Sequence, residues 1–237
     1  MESTIQLIKR KAISLIAQTL SKTGTVLAVR AWEPATVIEV DLHLPGVDMH
    51  KWTTPQHIKL AVAEGVYRDY TPLGWDAGTA TCTLIINASH NGAGARWAQA
   101  LQPGDIISYV GIGPTPPKPT ANAHVVFLGD ESALGHFYAV QQIAQNPLSI
   151  RGAIALADEQ HRENFRACCS DFKALEPVDK TGRNHADGLL QWAAAQRFTP
   201  DTVFYTAGYI PAVVQVRQGL KSSGISSAQI KAQGFWK

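Results

Sequence analysis

Cysteine is scarce in this chain: three residues in 237. Cys82, Cys168 and Cys169 cannot build a disulfide framework and have no CxxC metal spacing. The adjacent pair is expected as reduced thiols on or near a helix, and that suits the cytoplasm, where disulfides are rare. Charge is also sparse. Asp, Glu, Lys and Arg make up 17% of the chain and the net charge is +2, with no basic face of the kind a nucleic-acid binder concentrates. No run approaches the roughly 20 apolar residues that a membrane-spanning helix needs. Lys9-Arg10-Lys11 precede the apolar stretch Ala12–Ala17, which is too short for a secretory leader and lacks a small-x-small cleavage site. No HxxH or HxxxH pair suggests a metal site, and neither a Ser-His-Asp order nor a paired-carboxylate helix stands out.

What is present falls into segments with different grammar. Ile5, Ile8, Ala12 and Leu15 recur at helical spacing, so residues 1–21 are expected as an N-terminal amphipathic helix against the domain or a partner subunit. Monomer and homodimer both fit. Residues 22–113 read as short Val-, Ile- and Thr-rich strands at 25–30, 36–42, 56–61, 81–87 and 105–110, separated by Pro and Gly turns. That spacing predicts an antiparallel barrel or sandwich, with one helix over 94–101. Gly113-Pro-Thr-Pro-Pro-Lys-Pro-Thr120 carries four prolines and predicts a stiff linker over 114–121. From 122 to 237, strands at 124–128, 152–156, 172–176, 202–206 and 229–235 alternate with helices at 133–145, 161–167, 186–196 and 211–222. Alternation with near-continuous apolar strands predicts a doubly wound parallel sheet covered by helices. Such sheets bind ligands at the carboxyl ends of their strands.

Five constellations carry possible chemistry. In Arg68-Asp-Tyr-Thr71 a guanidinium fork suits a diphosphate, a tyrosine face suits a flat ring, and a threonine hydroxyl can bond a ring edge. Extended geometry would point Arg68 and Tyr70 to one side. His90-Asn-Gly-Ala-Gly-Ala-Arg-Trp97 opens the barrel's helix, and a glycine-rich turn into a helix N-terminus favours phosphate. Leu128-Gly-Asp-Glu-Ser-Ala133 ends the first parallel strand at the switch-point position, without a GxGxxG fingerprint. Thr206-Ala-Gly208 ends another parallel strand with small residues that permit close approach. Gly234-Phe-Trp-Lys237 sets two aromatics and a cation at the last strand.

In this order the motifs resemble those of the siderophore-interacting proteins of the ferredoxin-reductase-like superfamily, from about residue 24 to the end. That family shows RxYT, a His-Gly…Gly-x-x-x-Trp-Ala segment, Pro-Gly-Asp, Gly-Asp-Glu-Thr-Ala, Ala-Gly-Glu and a closing Gly-Tyr-Trp-Arg. The counterparts here are Arg68–Thr71, His90 to Trp97-Ala98, Pro103-Gly-Asp105, Gly129–Ala133, Ala207-Gly-Tyr209 and Gly234–Lys237. The resemblance implies an FAD-binding barrel followed by an α/β domain of the pyridine-nucleotide-binding type. Arg68 would meet the phosphates, Tyr70 stack on the isoalloxazine and Thr71 bond its edge. Gly94, Ala95, Arg96 and Trp97 would hold the pyrophosphate, with His90 near the flavin. Asp130, Ser132 and Ala133 would face the cofactor from the second domain, and Trp236 would close the far side. The implied activity is electron transfer through FAD to a ferric siderophore, releasing Fe(II), with Lys59 and Lys237 as candidate cations for an anionic chelate.

Three positions depart from the family pattern. Pro72-Leu73 stands for Val-Arg, Tyr209 for the glutamate of Ala-Gly-Glu, and Gly135-His136 interrupts a Leu-Pro-Ala continuation. The last two lie where a pyridine nucleotide would dock, which leaves NAD(P)H and a ferredoxin both open as donors. A general NAD(P)H-dependent flavin or ferredoxin reductase and a flavin- or siderophore-binding module without turnover remain alternatives.

Overall fold

A computed structural model describes residues 21–116, 118–168, 174–180 and 186–236. The expected N-terminal helix, Cys169 and Lys237 lie outside these residues.

The first sheet has seven antiparallel strands: β1 (Lys22–Trp32), β2 (Val37–His43), β3 (Gln56–Ala63), β4 (Val66–Tyr70), β5 (Leu73–Asp76), β6 (Thr81–Asn87) and β7 (Ile106–Pro114). Their order is β4-β3-β7-β1-β2-β6-β5. Alternation drives the wrapping: Ile58 and Leu60, Val40 and Leu42, Leu84 and Ile86, and Ile107 and Tyr109 all turn into one core. Helix α1 (Ala93–Ala100) adds Ala95 and Ala98 to that core. Cys82 is buried in it, and burial pushes its thiol up to about 12, so it behaves as an apolar residue.

The second sheet is parallel, order β10-β9-β8-β11-β12, from β8 (His124–Asp130), β9 (Ser149–Leu156), β10 (Leu175–Asp179), β11 (Thr202–Tyr209) and β12 (Ile230–Trp236). Helices α2 (Leu134–Ile143), α3 (Glu159–Cys168), α4 (Ala186–Ala194) and α5 (Ile210–Ser222) connect the strands. Alternate residues of β8 separate two cores. Val125 and Phe127 meet α2 and α3, while Val126 and Leu128 meet α4 and α5. This is the doubly wound arrangement that alternation predicts.

The first of those cores crosses between the sheets. Trp32, Val37, Leu73 and Ile85 of the antiparallel half are buried with Leu134, Phe137 and Phe127 of the parallel half. An apolar seam therefore sets the relative placement of the two halves.

Three details differ from expectation. Strands β4 and β5 are additional, formed because residues 66–70 pair with β3 and 73–76 with β6. The strand expected at 172–176 runs over Leu175–Asp179, where its register against Gly152–Leu156 places it. Pairing in the first sheet reaches Pro114, opposite Gln56, so the chain leaves the barrel one residue inside the proline-rich stretch.

Candidate functional site

β4 ends on Tyr70 at the margin of its sheet, and period-2 geometry puts Arg68 and Tyr70 on one side. They meet α1 there. A Cβ placed on Gly94 would collide with the Tyr70 hydroxyl and lie 3.5 Å from Arg68 Cγ, so only glycine leaves room for this approach. Tyr70 also lies face to face with Trp97, centroids 6.1 Å apart and planes 20° off parallel. Burial pushes the Tyr70 phenol up to about 12, so it stays neutral at all working pH values. Arg68 is exposed and donates from Nη1 to the Tyr67 carbonyl at 2.8 Å.

The N-terminus of α1 is open to a ligand. Its N-cap, Gly92, offers no side-chain bond, and no acidic residue stands in the first turn. His90 closes the preceding turn, its Nδ1 accepting from the Gly92 N–H at 3.0 Å. Free N–H groups and the positive end of the helix dipole therefore stand beside Arg68.

Across the cleft, the switch between β8 and β11 is bolted by buried Asp130. Its carboxylate accepts from the Ser132 N–H at 3.0 Å, the Ser132 hydroxyl at 2.5 Å and the Tyr209 N–H at 3.0 Å. Gly208, at φ 120°, is the neighbour that this approach demands, because a Cβ there would lie 2.5 Å from Asp130 Oδ1. Ser132 Oγ then accepts from Trp236 Nε1 at 3.0 Å, and the Trp236 ring lies 4.5 Å from that of Tyr209. The position that departs from Ala-Gly-Glu thus carries an aromatic support for Trp236.

Arg68, Tyr70, Thr71, His90, Gly94, Ala95, Ser132 and Trp236 line one cavity of about 370 Å³ between the halves. That is within the roughly 300–1,000 Å³ range of small-molecule sites. A second cavity of about 440 Å³ shares Arg68–Thr71 and Phe235 with it and is bounded by His57, Thr115 and Gln233. The other expected residues stand back from these walls. Asp130 acts through Ser132, and Ala133 is core, facing Gly129. Trp97 backs Tyr70, and Arg96 donates to the Asn91 carbonyl. Lys59 lines neither cavity and pairs at 2.9 Å across β3 and β4 with Asp69, which lines both.

Among the wall residues outside the candidate set read from the sequence are Phe235, His136 and Lys180. Phe235 and His136 meet edge to face, centroids 5.7 Å apart. Lys180 also lines the cavity, paired at 2.6 Å with buried Glu131, which accepts from the Ala157 N–H through its other oxygen. Glu131 sits inside the Gly-Asp-Glu-Ser motif and was a visible signal. Lys180 carries none, since its place depends on the register of β10.

No protein-family model matches the sequence, and no curated protein does. Solved structures do. A siderophore-interacting protein from Acinetobacter baumannii aligns with a TM-score of 0.73 at 18% identity, over 91% of this chain and 90% of that one. The chain has the ferredoxin-reductase-like fold. A siderophore utilization protein from T. fusca aligns at 0.69 and 23% identity over 92% of both chains. The ferredoxin reductase in carbazole 1,9a-dioxygenase aligns at 0.72 and 18%, over 91% of this chain and 69% of that chain. At these identities the likeness speaks for the fold. The motif resemblance and this shared architecture point the same way.

Proposed function

We propose that this chain is a flavin-dependent oxidoreductase that holds FAD in the interdomain cleft and passes electrons to a ferric siderophore. The observation that carries the reading is the convergence of Arg68, Tyr70 and the uncapped N-terminus of α1, opposite Trp236, on one cavity. The residues fit the cofactor. Arg68 and the first-turn N–H groups of α1 would bind its diphosphate, and Tyr70 would offer a neutral aromatic face. Thr71 would supply a hydroxyl at the ring edge, while Trp236, held by Ser132, would keep water from the other side. When bound, FAD supplies the exchange between a two-electron donor and one-electron acceptors. The adjoining cavity beside Thr71 and Phe235 is where an acceptor would approach.

NADH, NADPH and a reduced ferredoxin are the candidate donors. The Tyr209–Trp236 contact stands at the carboxyl end of the parallel sheet, where a nicotinamide would dock, and favours ferredoxin. The test is an absorbance spectrum of the protein with FAD, followed by anaerobic addition of each donor and then of a ferric chelate. Flavin bands that bleach with a donor and recover with ferric siderophore faster than with simple acceptors support the reading. Equal recovery with all acceptors would mark a general reductase, and failure to bind FAD would end the proposal.

A further inference from the structure

His136 stands where this chain departs from the Leu-Pro-Ala continuation, and the mechanism above does not use it. It is 2% exposed, yet it lines the cleft together with Thr71, Phe235 and Trp236. Its Nδ1 is buried and has no hydrogen-bond partner. Buried polar atoms are nearly always partnered in native structures, so an unpartnered one on a cavity wall points to a ligand. Two neighbours set its position. Gly135 has no side chain, and a Cβ there would lie 3.3 Å from the Thr71 carbonyl, so the start of α2 comes right up to the cleft. Phe235 meets the imidazole at 71° and holds its plane.

We infer that His136 is a positioning residue that hydrogen-bonds the polar edge of the ring system held in the cleft, from the side of the α/β half. This inference rests on the flavin reading. Burial lowers the imidazole to about 4, so it is neutral at working pH. A neutral imidazole has one donor and one acceptor nitrogen. A flavin edge carries both ring nitrogens and carbonyls and can satisfy either. Tyr70 and Trp236 would then supply aromatic faces, with His136 selecting the rotation of the ring between them.

The experiment compares binding of FAD and of ADP, which has the diphosphate but no flavin ring, to the wild-type chain, His136→Leu and His136→Gln. Calorimetry follows binding, and circular dichroism checks folding. The expected result for His136→Leu is FAD affinity about tenfold weaker with ADP affinity unchanged, and partial recovery in His136→Gln. In parallel, the ¹⁵N resonances of the His136 ring in the wild-type protein should shift with FAD and not with ADP. Unchanged FAD affinity in His136→Leu, or equal weakening of FAD and ADP, overturns the inference because packing alone then accounts for the residue. Unshifted ring nitrogens in a chain that does bind FAD overturn it too, while leaving the flavin reading intact. A wild-type chain that binds no FAD removes both.

Discussion

The two halves of this molecule handle charge in opposite ways. On the antiparallel sheet, Arg30 grips Asp41 at 2.6 Å and Glu39 at 3.0 Å on a half-exposed face, with Trp32 Nε1 donating to Glu39. The Arg30 hydrogen bonds hold the Asp41 carboxyl below its usual range. In the parallel half, Glu131 and Lys180 form a pair whose side chains are 6% and 10% exposed, and Lys180 shares the cavity wall with a buried histidine. A sheet with one face in water can keep its ion pairs solvated, whereas helices on both faces of a sheet can enclose a pair near its strand ends, as with Glu131–Lys180, although Arg162–Asp179 at the end of β10 stays partly exposed. The cleft lies where these regimes meet.

The comparison breaks most easily at the buried pair. Lys180→Met leaves buried Glu131 with the Ala157 N–H but without its counter-charge, and urea unfolding should show a loss of about 3–5 kcal/mol. Gly94→Ala tests the barrel side of the cleft. The added methyl must displace the Tyr70 hydroxyl, at about 1–3 kcal/mol, so FAD titration should show affinity weakened by about tenfold to a hundredfold. A third test uses pH. The His136 imidazole is lowered from 6.5 to about 4 by burial. The unfolded chain therefore binds the extra proton first, and stability present above pH 6.5 is lost as pH falls toward 4. Between pH 7.5 and 5 the loss should be about 2 kcal/mol, and His136→Leu should flatten that part of the profile. The smallest effect belongs to the exposed network: Arg30→Ala should cost under about 1 kcal/mol and lose its effect in high salt. Equal costs for Arg30→Ala and Lys180→Met would erase the contrast.

How much could be read in advance follows the same division. The strands read at 81–87 and 56–61 and the helix read at 94–101 announced themselves, within two residues of the observed bounds, because alternation and glycine-rich turns are local signals. Arg68 and Tyr70 were legible for the same reason, since two residues of one extended segment must share a side. β4 and β5 were not, being five- and four-residue strands that exist through pairing with β3 and β6. The parallel half gave up its architecture readily and its site poorly. Asp130 stood in a visible motif, yet its contacts with Ser132 and Tyr209 join segments 79 residues apart and make it a bolt behind the wall. Lys180 came to the cleft with no local pattern to mark it, and His136 was marked only as a departure from the Leu-Pro-Ala continuation, not as a cleft residue.

The order of motifs, the change from alternating to continuous apolar strands and the proline-rich connector were enough to determine two sheets of different type. They were also enough to place an arginine–aromatic pair before a helix opened by a glycine-rich turn. Those features act within a few residues, where backbone geometry and side-chain period leave little choice. Only the tertiary structure decided that Lys59 pairs with cleft-lining Asp69 without lining the cleft itself, that Lys180 reaches it, and that His136 is buried there with an unpartnered nitrogen. Each depends on strand register and on the apolar seam from Trp32 to Phe137. Burial and pairing are set by what the rest of the chain brings alongside.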